Sequence, residues 1–509
     1  MASIIKKKPQ KEQAVPIIAQ ASAKGVSAIA VIRISGSDLA GWLLPRLAWK
    51  LEPRRSSLRT LKAPDGIAID QVLATFFPAP HSFTGEDLLE IHSHGSPAII
   101  AWVMESFLVF GKEQQLRLAK PGEFSERAFL NDRLDLAQAE AIADLIAAST
   151  RLQAKAALRS LKGEFSQQVK AYIDAVQDLR MLVEAALDFP EEPVESLADW
   201  GLDASLDALI ETMQTQLPGW KQGAQLQTGL SLALIGPPNA GKSSLLNAFA
   251  GEELALVDAE PGTTRDRITQ SFQWQGQLIE MTDTAGIREA ALAGRIEQKG
   301  MQRSWESASR AQAVLLVISV EDALLQAGGP AAVLEPQTLE AMARAFAHQW
   351  WHRHLDESHA DTVQAPTVVV LNKLDLLDAA LQQRWLAGDR SASIADQDAK
   401  TSVIDWPVIP VSARERIGLE RLMDALLEKL QVQGESTEPT WARLRHVTAL
   451  EQTINHLKSA RAHWTSANGQ ADLMAEELRL AQRSLAEITG IWSDEDLLGA
   501  IFSRFCIGK

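Results

Sequence analysis

The chain carries one cysteine, Cys506, so it can close no internal disulfide and build no cysteine-based metal cage within one copy. Any metal must be held by oxygen or nitrogen. No run of about 18 apolar residues occurs, and the lysine-rich start (Lys6, Lys7, Lys8, Lys11) lacks the apolar stretch of a signal peptide. These absences predict a cytoplasmic protein that uses no membrane. Basic charge is also short: 50 lysines and arginines against 65 acids leave a net −15, which argues against coating nucleic acid through a general basic field. An RNA site would have to be a local basic cleft or be completed by a partner.

What is present is a globular composition, 46% hydrophobic and 23% charged, over 509 residues. That length suggests roughly two to four domains. From Ala28 to about Asn131, short β-like runs (Ala28 to Ile34, Gln71 to Phe77, Leu88 to Ile91) surround one helical stretch, Ala98 to Phe110, which reads as a compact α+β domain. Ala-, Leu- and Glu-rich sequence follows, up to the breaker Phe189-Pro190-Glu191-Glu192-Pro193. Within it Leu158, Leu161, Phe165, Val169, Ile173, Val176, Leu179, Val183 and Leu187 recur at the helical period, so one apolar stripe needs a partner. A second helical region, Trp441 to about Thr489, carries another such face through Leu444, Val447, Leu450, Ile454, Leu457, Leu473, Leu478, Leu485 and Ile488. Packing the two together gives one discontinuous helical domain with an insert between its halves.

The insert, from Leu226 to about Val432, alternates buried-strand runs (Leu230 to Ile235, Val314 to Val320, Thr367 to Leu371, Val408 to Val411) with helices, the pattern of a mostly parallel sheet covered on both faces. Glu321 to Ala365 reads as an expanded loop-and-helix insertion. His348 and His352 there have helical ligand spacing, but no acidic third ligand accompanies them, which argues against a metal site.

After the first of these strands, Gly236-Pro237-Pro238-Asn239-Ala240-Gly241-Lys242-Ser243 opens a helix at Ser244, the phosphate-cradling loop in its strand-loop-helix setting. Lys242 is suited to the β and γ oxygens and Ser243 to magnesium. Asp283-Thr284-Ala285-Gly286 supplies a carboxylate for a magnesium-bound water and a backbone that can approach the γ-phosphate. Asn372-Lys373-Leu374-Asp375 follows a strand, and the Asp375 carboxylate can accept both hydrogen bonds from the guanine N1 and 2-amino edge, which adenine cannot offer. Ser412-Ala413, with Arg414 beside them, completes the base pocket. Thr264, in Thr263-Thr264-Arg265-Asp266, is the expected second hydroxyl ligand of magnesium. The chain is therefore read as a GTP-hydrolysing switch. Ile287 stands where many small GTPases carry the glutamine that orients water, so hydrolysis needs another orienting group and another positive charge.

Beyond the switch, Phe83-Thr84-Gly85-Glu86-Asp87, the stretch Pro121-Gly122-Glu123-Phe124-Ser125-Glu126-Arg127-Ala128-Phe129-Leu130-Asn131 and the closing Phe505-Cys506-Ile507-Gly508-Lys509 are not generic to GTPases. With them the whole chain resembles the tRNA uridine 5-carboxymethylaminomethyl modification GTPase family MnmE, also called TrmE. The resemblance implies a homodimer acting on tRNA in a heterotetramer with a flavin-containing partner, MnmG (GidA), to modify carbon 5 of the wobble uridine. It implies an N-terminal tetrahydrofolate- and dimer-forming domain (1–131), helical halves (132–224 and 433–509) and a Ras-like GTP-binding domain (225–432). Arg33, Glu90, Arg133 and Lys509 match the family's folate contacts, with arginine at 133 where lysine is usual. Cys506 is a candidate for chemistry near that site. The missing glutamine is offset in the family by dimerisation of GTP-binding domains around potassium, for which Asn239 matches the side-chain ligand. Asp258, Glu260 and Thr263 occupy the other loop positions, so Asp258-Ala259-Glu260-Pro261-Gly262-Thr263-Thr264 joins the nucleotide site. Glu297 matches the glutamate that positions water. A ribosome-assembly RNA-binding GTPase is the alternative, disfavoured because such factors append a basic RNA-binding module.

Overall fold

The computed structural model describes residues 15–188, 201–251, 268–283, 305, 308–325, 336–354, 367–386, 406–430, 441–465, 470–491, 495–503, 505 and 508. Its contacts divide the chain into two compact units, one comprising Met1–Ala147, Lys155–Lys221 and Thr440–Lys509, the other Ala148–Ala154 and Gln222–Pro439.

In the first unit, strands β1 (Ile17–Gln20), β2 (Ser27–Gly36), β3 (Ser57–Lys62), β4 (Ala68–Phe77), β5 (Asp87–Gly95) and β6 (Arg117–Leu118) form a six-stranded sheet in the order β3-β4-β5-β2-β1-β6. Alternation decides its faces. Ile32, Ile34, Val72, Ala74, Leu89 and Ile91 point to the core shared with the helices Leu39–Arg46 and Pro97–Phe110, through Leu43, Val103 and Phe107. On the opposite face Ile17, Ala19 and Leu88 pack on Phe124 of the helix Glu123–Leu130, so that helix lies across the sheet beside β1.

The two helical regions do pack together. Arg180 donates to Gln482 at 2.8 Å, Arg461 pairs with Asp203 and Asp207, and Phe165 stacks near both Trp220 (4.8 Å) and His446 (5.0 Å). The long apolar stripe, however, belongs to two helices, Arg151–Leu161 and Glu164–Asp188, because Gly163 takes φ +90° and ends the first. The stripe residues from Phe165 to Val183 are buried, whereas Leu158 and Leu187, at its ends, are exposed. Leu444 and Leu473 are likewise exposed, so the second face starts at Val447 and resumes at Leu478. The last helix, Glu495–Phe502, returns through Leu498, Ile501, Phe502 and Phe505 onto Phe129 and Leu136.

A buried ionic cluster stands where the helical halves meet. Glu140 accepts from Arg445 at 2.9 and 2.6 Å and contacts His446 Nε2 at 3.2 Å, while Asp144 accepts from Arg443 at 2.5 Å and from the Trp441 indole at 2.9 Å. Burial opposes ionisation of Glu140, yet His446 and Arg445 hold its carboxyl below the usual range. Burial, reinforced by the Arg445 charge, pushes His446 down to about 4. Two half-buried arginines and two buried carboxylates thus satisfy one another, and removing an arginine would leave a buried carboxylate uncompensated.

The second unit holds strands β7 (Leu230–Ile235), β8 (Ile268–Trp274), β9 (Gln277–Asp283), β10 (Ala313–Ser319), β11 (Val368–Asn372) and β12 (Val408–Pro410), ordered β12-β11-β10-β7-β9-β8. All neighbours are parallel except the β8–β9 pair. Every residue of β10 is buried, as a strand covered on both faces requires. One face packs on the helices Lys242–Ala250 and Leu419–Lys429 through Phe249, Phe272, Leu422 and Met423. The other packs on the helix Pro336–His354, whose Leu339, Ala343, Ala347 and Trp351 join Trp305 and Trp406 in its core. The expected insertion therefore contributes a core helix of the α/β sandwich. The chain is multidomain: an N-terminal α+β domain, a discontinuous helical domain and an inserted α/β P-loop domain.

The His446 environment makes a pH prediction. Its folded pKa lies below the unfolded value of about 6.5, so the unfolded chain binds more protons between them and stability falls as pH drops. The loss runs from about pH 6.5 down through the folded value of about 4. Hydrogen-exchange protection of the helix Leu444–Thr465, corrected for intrinsic rates, should decline over that window, and His446→Gln should flatten the decline.

Candidate functional site

The phosphate loop leaves β7 at Ile235 and enters the helix Lys242–Ala250. Its conformation requires glycine. Gly236 has φ +147° and Gly241 +90°, and a Cβ at either would be driven into the Val317 carbonyl oxygen or the Asn372 amide nitrogen respectively. Lys242 is buried along the inside of the loop, its Nζ donating to the Gly236 and Pro237 carbonyls at 2.8 and 2.7 Å. Ser243 and Ser244 open the helix on its exposed side, and Asn239 is exposed at the rim with φ +62°. Successive backbone N–H groups at a helix start, with a buried ammonium beside them, make a cradle for phosphate oxygens.

Asn372, the last residue of β11 and only 2% exposed, joins that cradle to the base-recognition loops. Its Nδ2 donates to the Ala240 carbonyl at 3.0 Å and its Oδ1 accepts from the Ala413 N–H at 3.1 Å. One carboxamide therefore ties residues far apart in sequence into a single rim. Asp375 is half-buried on the following turn, where the Ser412 hydroxyl donates to its Oδ1 at 2.7 Å. Ser412 also accepts from the Glu415 N–H at 3.2 Å, and Leu374 N–H donates to the Val411 carbonyl at 3.1 Å. These bonds fix the carboxylate while leaving oxygen lone pairs to receive two donors from a base edge. Lys373 takes φ +65° and ion-pairs with Glu321 at 2.6 Å. Arg414 is exposed beside Ala413. Asp283 ends β9 in register with Leu234, one residue before β7 ends and the phosphate loop follows.

The other expected nucleotide and ion residues, Asp258, Ala259, Glu260, Pro261, Gly262, Thr263, Thr264, Thr284, Ala285, Gly286 and Glu297, lie outside the described residues, as do Ile287, Cys506 and Lys509.

In the first unit three of the four expected folate contacts, Arg33, Glu90 and Arg133, gather near the turn at Phe83 to Gly85. Arg33 and Glu90 face each other across the β2–β5 ladder and form an ion pair of 2.7 Å. The Arg33 guanidinium lies 5.8 Å from the Phe83 ring centre, a cation–π contact. Two residues on, the Arg133 side chain lies against Gly85, and Asn131 Nδ2 donates to the Thr84 carbonyl at 2.7 Å. Gly508 rests on Gln20 and Ala21 at the end of β1, one register position from the Arg33 partner Ala19, so the chain end returns to the same sheet.

Beneath that turn lies a connection that reading the motifs separately missed. Glu86 accepts from Arg127 at 2.9 Å and from Ser35 at 2.8 Å, and Arg127 also donates to Glu123 at 3.0 Å. Burial alone would raise the Glu123 carboxyl, but Arg117, the Lys120 N–H and Arg127 bring it down to about 2. The two signature stretches are thus halves of one buried ion network. Their opposite charges were the only signal of it in the sequence.

Comparison with known proteins covers both units. The family model described as GTP-binding protein TrmE N-terminus matches residues 16–133, and that described as MnmE helical domain matches 136–506. A tRNA modification GTPase MnmE from Ralstonia nicotianae is 42% identical over 495 residues, 97% of each chain. One from Bordetella parapertussis is 42% identical over 496 residues, covering 97% of this chain and 99% of its own. Among solved structures, the G domain of the T. maritima FeoB iron transporter aligns with 39% of this chain and 98% of its own at 20% identity and a TM-score of 0.22, and the assignment does not rest on it. With guanine-site geometry in one unit, the two signature stretches interlocked in the other and relatives matched along nearly their whole length, the chain belongs to the MnmE (TrmE) family of tRNA modification GTPases.

Proposed function

We propose that this chain hydrolyses GTP to drive a tRNA-modifying centre which, with a flavin-containing MnmG (GidA) partner, places a carboxymethylaminomethyl group on carbon 5 of the wobble uridine. Its full-length similarity to tRNA modification GTPases carries the reading. Residues 1–131 are the tetrahydrofolate-binding and dimer-forming domain, 132–224 and 433–509 the halves of the helical domain, and 225–432 the GTP-binding domain. The protein works in the cytoplasm as a homodimer, in a heterotetramer with its partner.

In the GTP site, backbone N–H groups of Asn239 to Ser244 and the Lys242 ammonium receive the phosphates, and Asp375 with Ser412 and Ala413 reads guanine. Ser243 and Thr264 would hold magnesium, whose charge offsets that gathering on the β and γ oxygens; the hydroxyl at the start of the Lys242–Ala250 helix fits such an oxygen-seeking ion. Asp283 would accept a hydrogen bond from a water of the magnesium site, and the Gly286 backbone would meet the γ-phosphate. Asn239, exposed at the rim, with Asp258, Glu260 and Thr263, would hold potassium, which supplies positive charge where other GTPases use an arginine. Glu297 orients the attacking water in place of the absent glutamine. Arg33, Glu90 and Arg133, with Lys509 and Cys506, would hold the folate, a cation suiting its glutamyl carboxylates and a carboxylate its pterin edge.

Three measurements test this reading. Asp375→Asn replaces an acceptor by a donor, so GTP affinity should fall at least about 10³-fold while xanthosine triphosphate, which presents a carbonyl there, gains. An unchanged order of preference would exclude Asp375 as the base reader. Hydrolysis should run at least tenfold faster in potassium than in sodium, and equal rates would remove the ion from the mechanism. Mass spectrometry of tRNA nucleosides from cells lacking this chain should show the modified wobble uridine gone; its persistence would refute the tRNA role.

A further inference from the structure

The helix Pro336–His354 carries a pair of imidazoles that the GTP and folate sites do not use. His348 and His352 are one turn apart, and their Nε2 atoms lie 3.1 Å from each other although the ring centres are 4.2 Å apart. The two Nε2 atoms therefore lie nearer to each other than the ring centres do. The helix beneath is well anchored. Leu339, Ala343, Ala347 and Trp351 are buried against the sheet, and Trp351 meets Trp305 edge-on at 5.1 Å and Trp406 at 6.0 Å. The His348 ring is itself 5.8 Å from the Trp406 ring, which walls one side of the pair. One turn earlier Arg344 is paired with Glu340 at 2.9 Å, so the nearest cation on that side is already offset.

We propose that His348 and His352 form a surface site for a divalent transition metal of the imidazole-binding class, with water or an external donor filling the remaining positions. The separation points to a coordination geometry. With metal–nitrogen bonds of about 2.1 Å, nitrogens 3.1 Å apart subtend about 95°, whereas a tetrahedral angle would need about 3.4 Å. The bite thus suits the tetragonal or octahedral preferences of Cu²⁺ and Ni²⁺ better than the tetrahedral one of Zn²⁺. Among the described residues no group of three metal-ligating side chains occurs, so this is a two-ligand site with exchangeable positions and not a closed structural one. The inference is independent of the tRNA role and of the folate site. The sequence expectation that no third protein ligand accompanies the pair holds among the described residues. Helical spacing alone did not show that the two Nε2 atoms meet.

Titration of the nucleotide-free full chain with NiCl₂ tests the site. His352 is exposed, so His352→Ala should fold normally, and GTP hydrolysis by it and by His348→Ala should stay within twofold of the parent. Each substitution should weaken Ni²⁺ binding at least tenfold. The electron paramagnetic spectrum of one bound Cu²⁺ should show coupling to two imidazole nitrogens in the parent and to one in either variant. Nickel affinity unchanged by His352→Ala, or a parent copper spectrum with fewer than two nitrogens, would mean that the imidazoles merely share a hydrogen bond and would overturn the proposal.

Discussion

The Asn372 carboxamide is the contact on which the GTP site depends. Donating to the phosphate loop at Ala240 and accepting from the base loop at Ala413, it fixes the distance between the two ends of a nucleotide. Both loops hang from strand ends of the same sheet, the second closed by the Ser412–Ile417 backbone bridge. The buried position of Asn372 gives its two bonds a low-dielectric setting, and any rearrangement that broke them would strand polar groups away from water. Gly241 is part of the same arrangement, since a side chain there would occupy the place of the Asn372 amide.

The first unit follows a comparable logic with charges. Glu86, Arg127, Glu123 and Arg117 lock the turn at Phe83 to Gly85 onto the helix Glu123–Leu130, and that turn carries Phe83 to Arg33 and Gly85 to Arg133. The proposed folate would meet there an Arg33 held between Phe83 and Glu90. The Glu140, Asp144, Arg443, Arg445 and His446 cluster likewise locks the helical halves together.

Much of this architecture was legible because its signals are contiguous. The phosphate loop, the base-reading Asn372 to Asp375 turn and the strands Leu230 to Ile235 and Val408 to Val411 are written in short runs, and the helical period of the paired stripes called for a partner that each then found. What escaped depends on distant pairing. Gly163 splits a stripe whose period runs on without interruption, because a glycine in αL leaves no mark on the apolar spacing around it. The Glu86–Arg127 pair spans 41 positions, and the role of Asn372 spans 132 to Ala240. Glu321 to Ala365 read as an expanded insertion, yet Trp351 within it helps fill one face of the sheet.

If Asn372 sets the span of the site, then GDP affinity is the quantity it controls. Asn372→Ala removes a donor and an acceptor whose partners remain buried, a loss of about 2–3 kcal/mol, or roughly 30- to 150-fold in the dissociation constant. The same substitution should raise amide hydrogen exchange at both Ala240 and Ala413 in the nucleotide-free chain. A GDP affinity within twofold of the parent, with both amides still protected, would contradict the account.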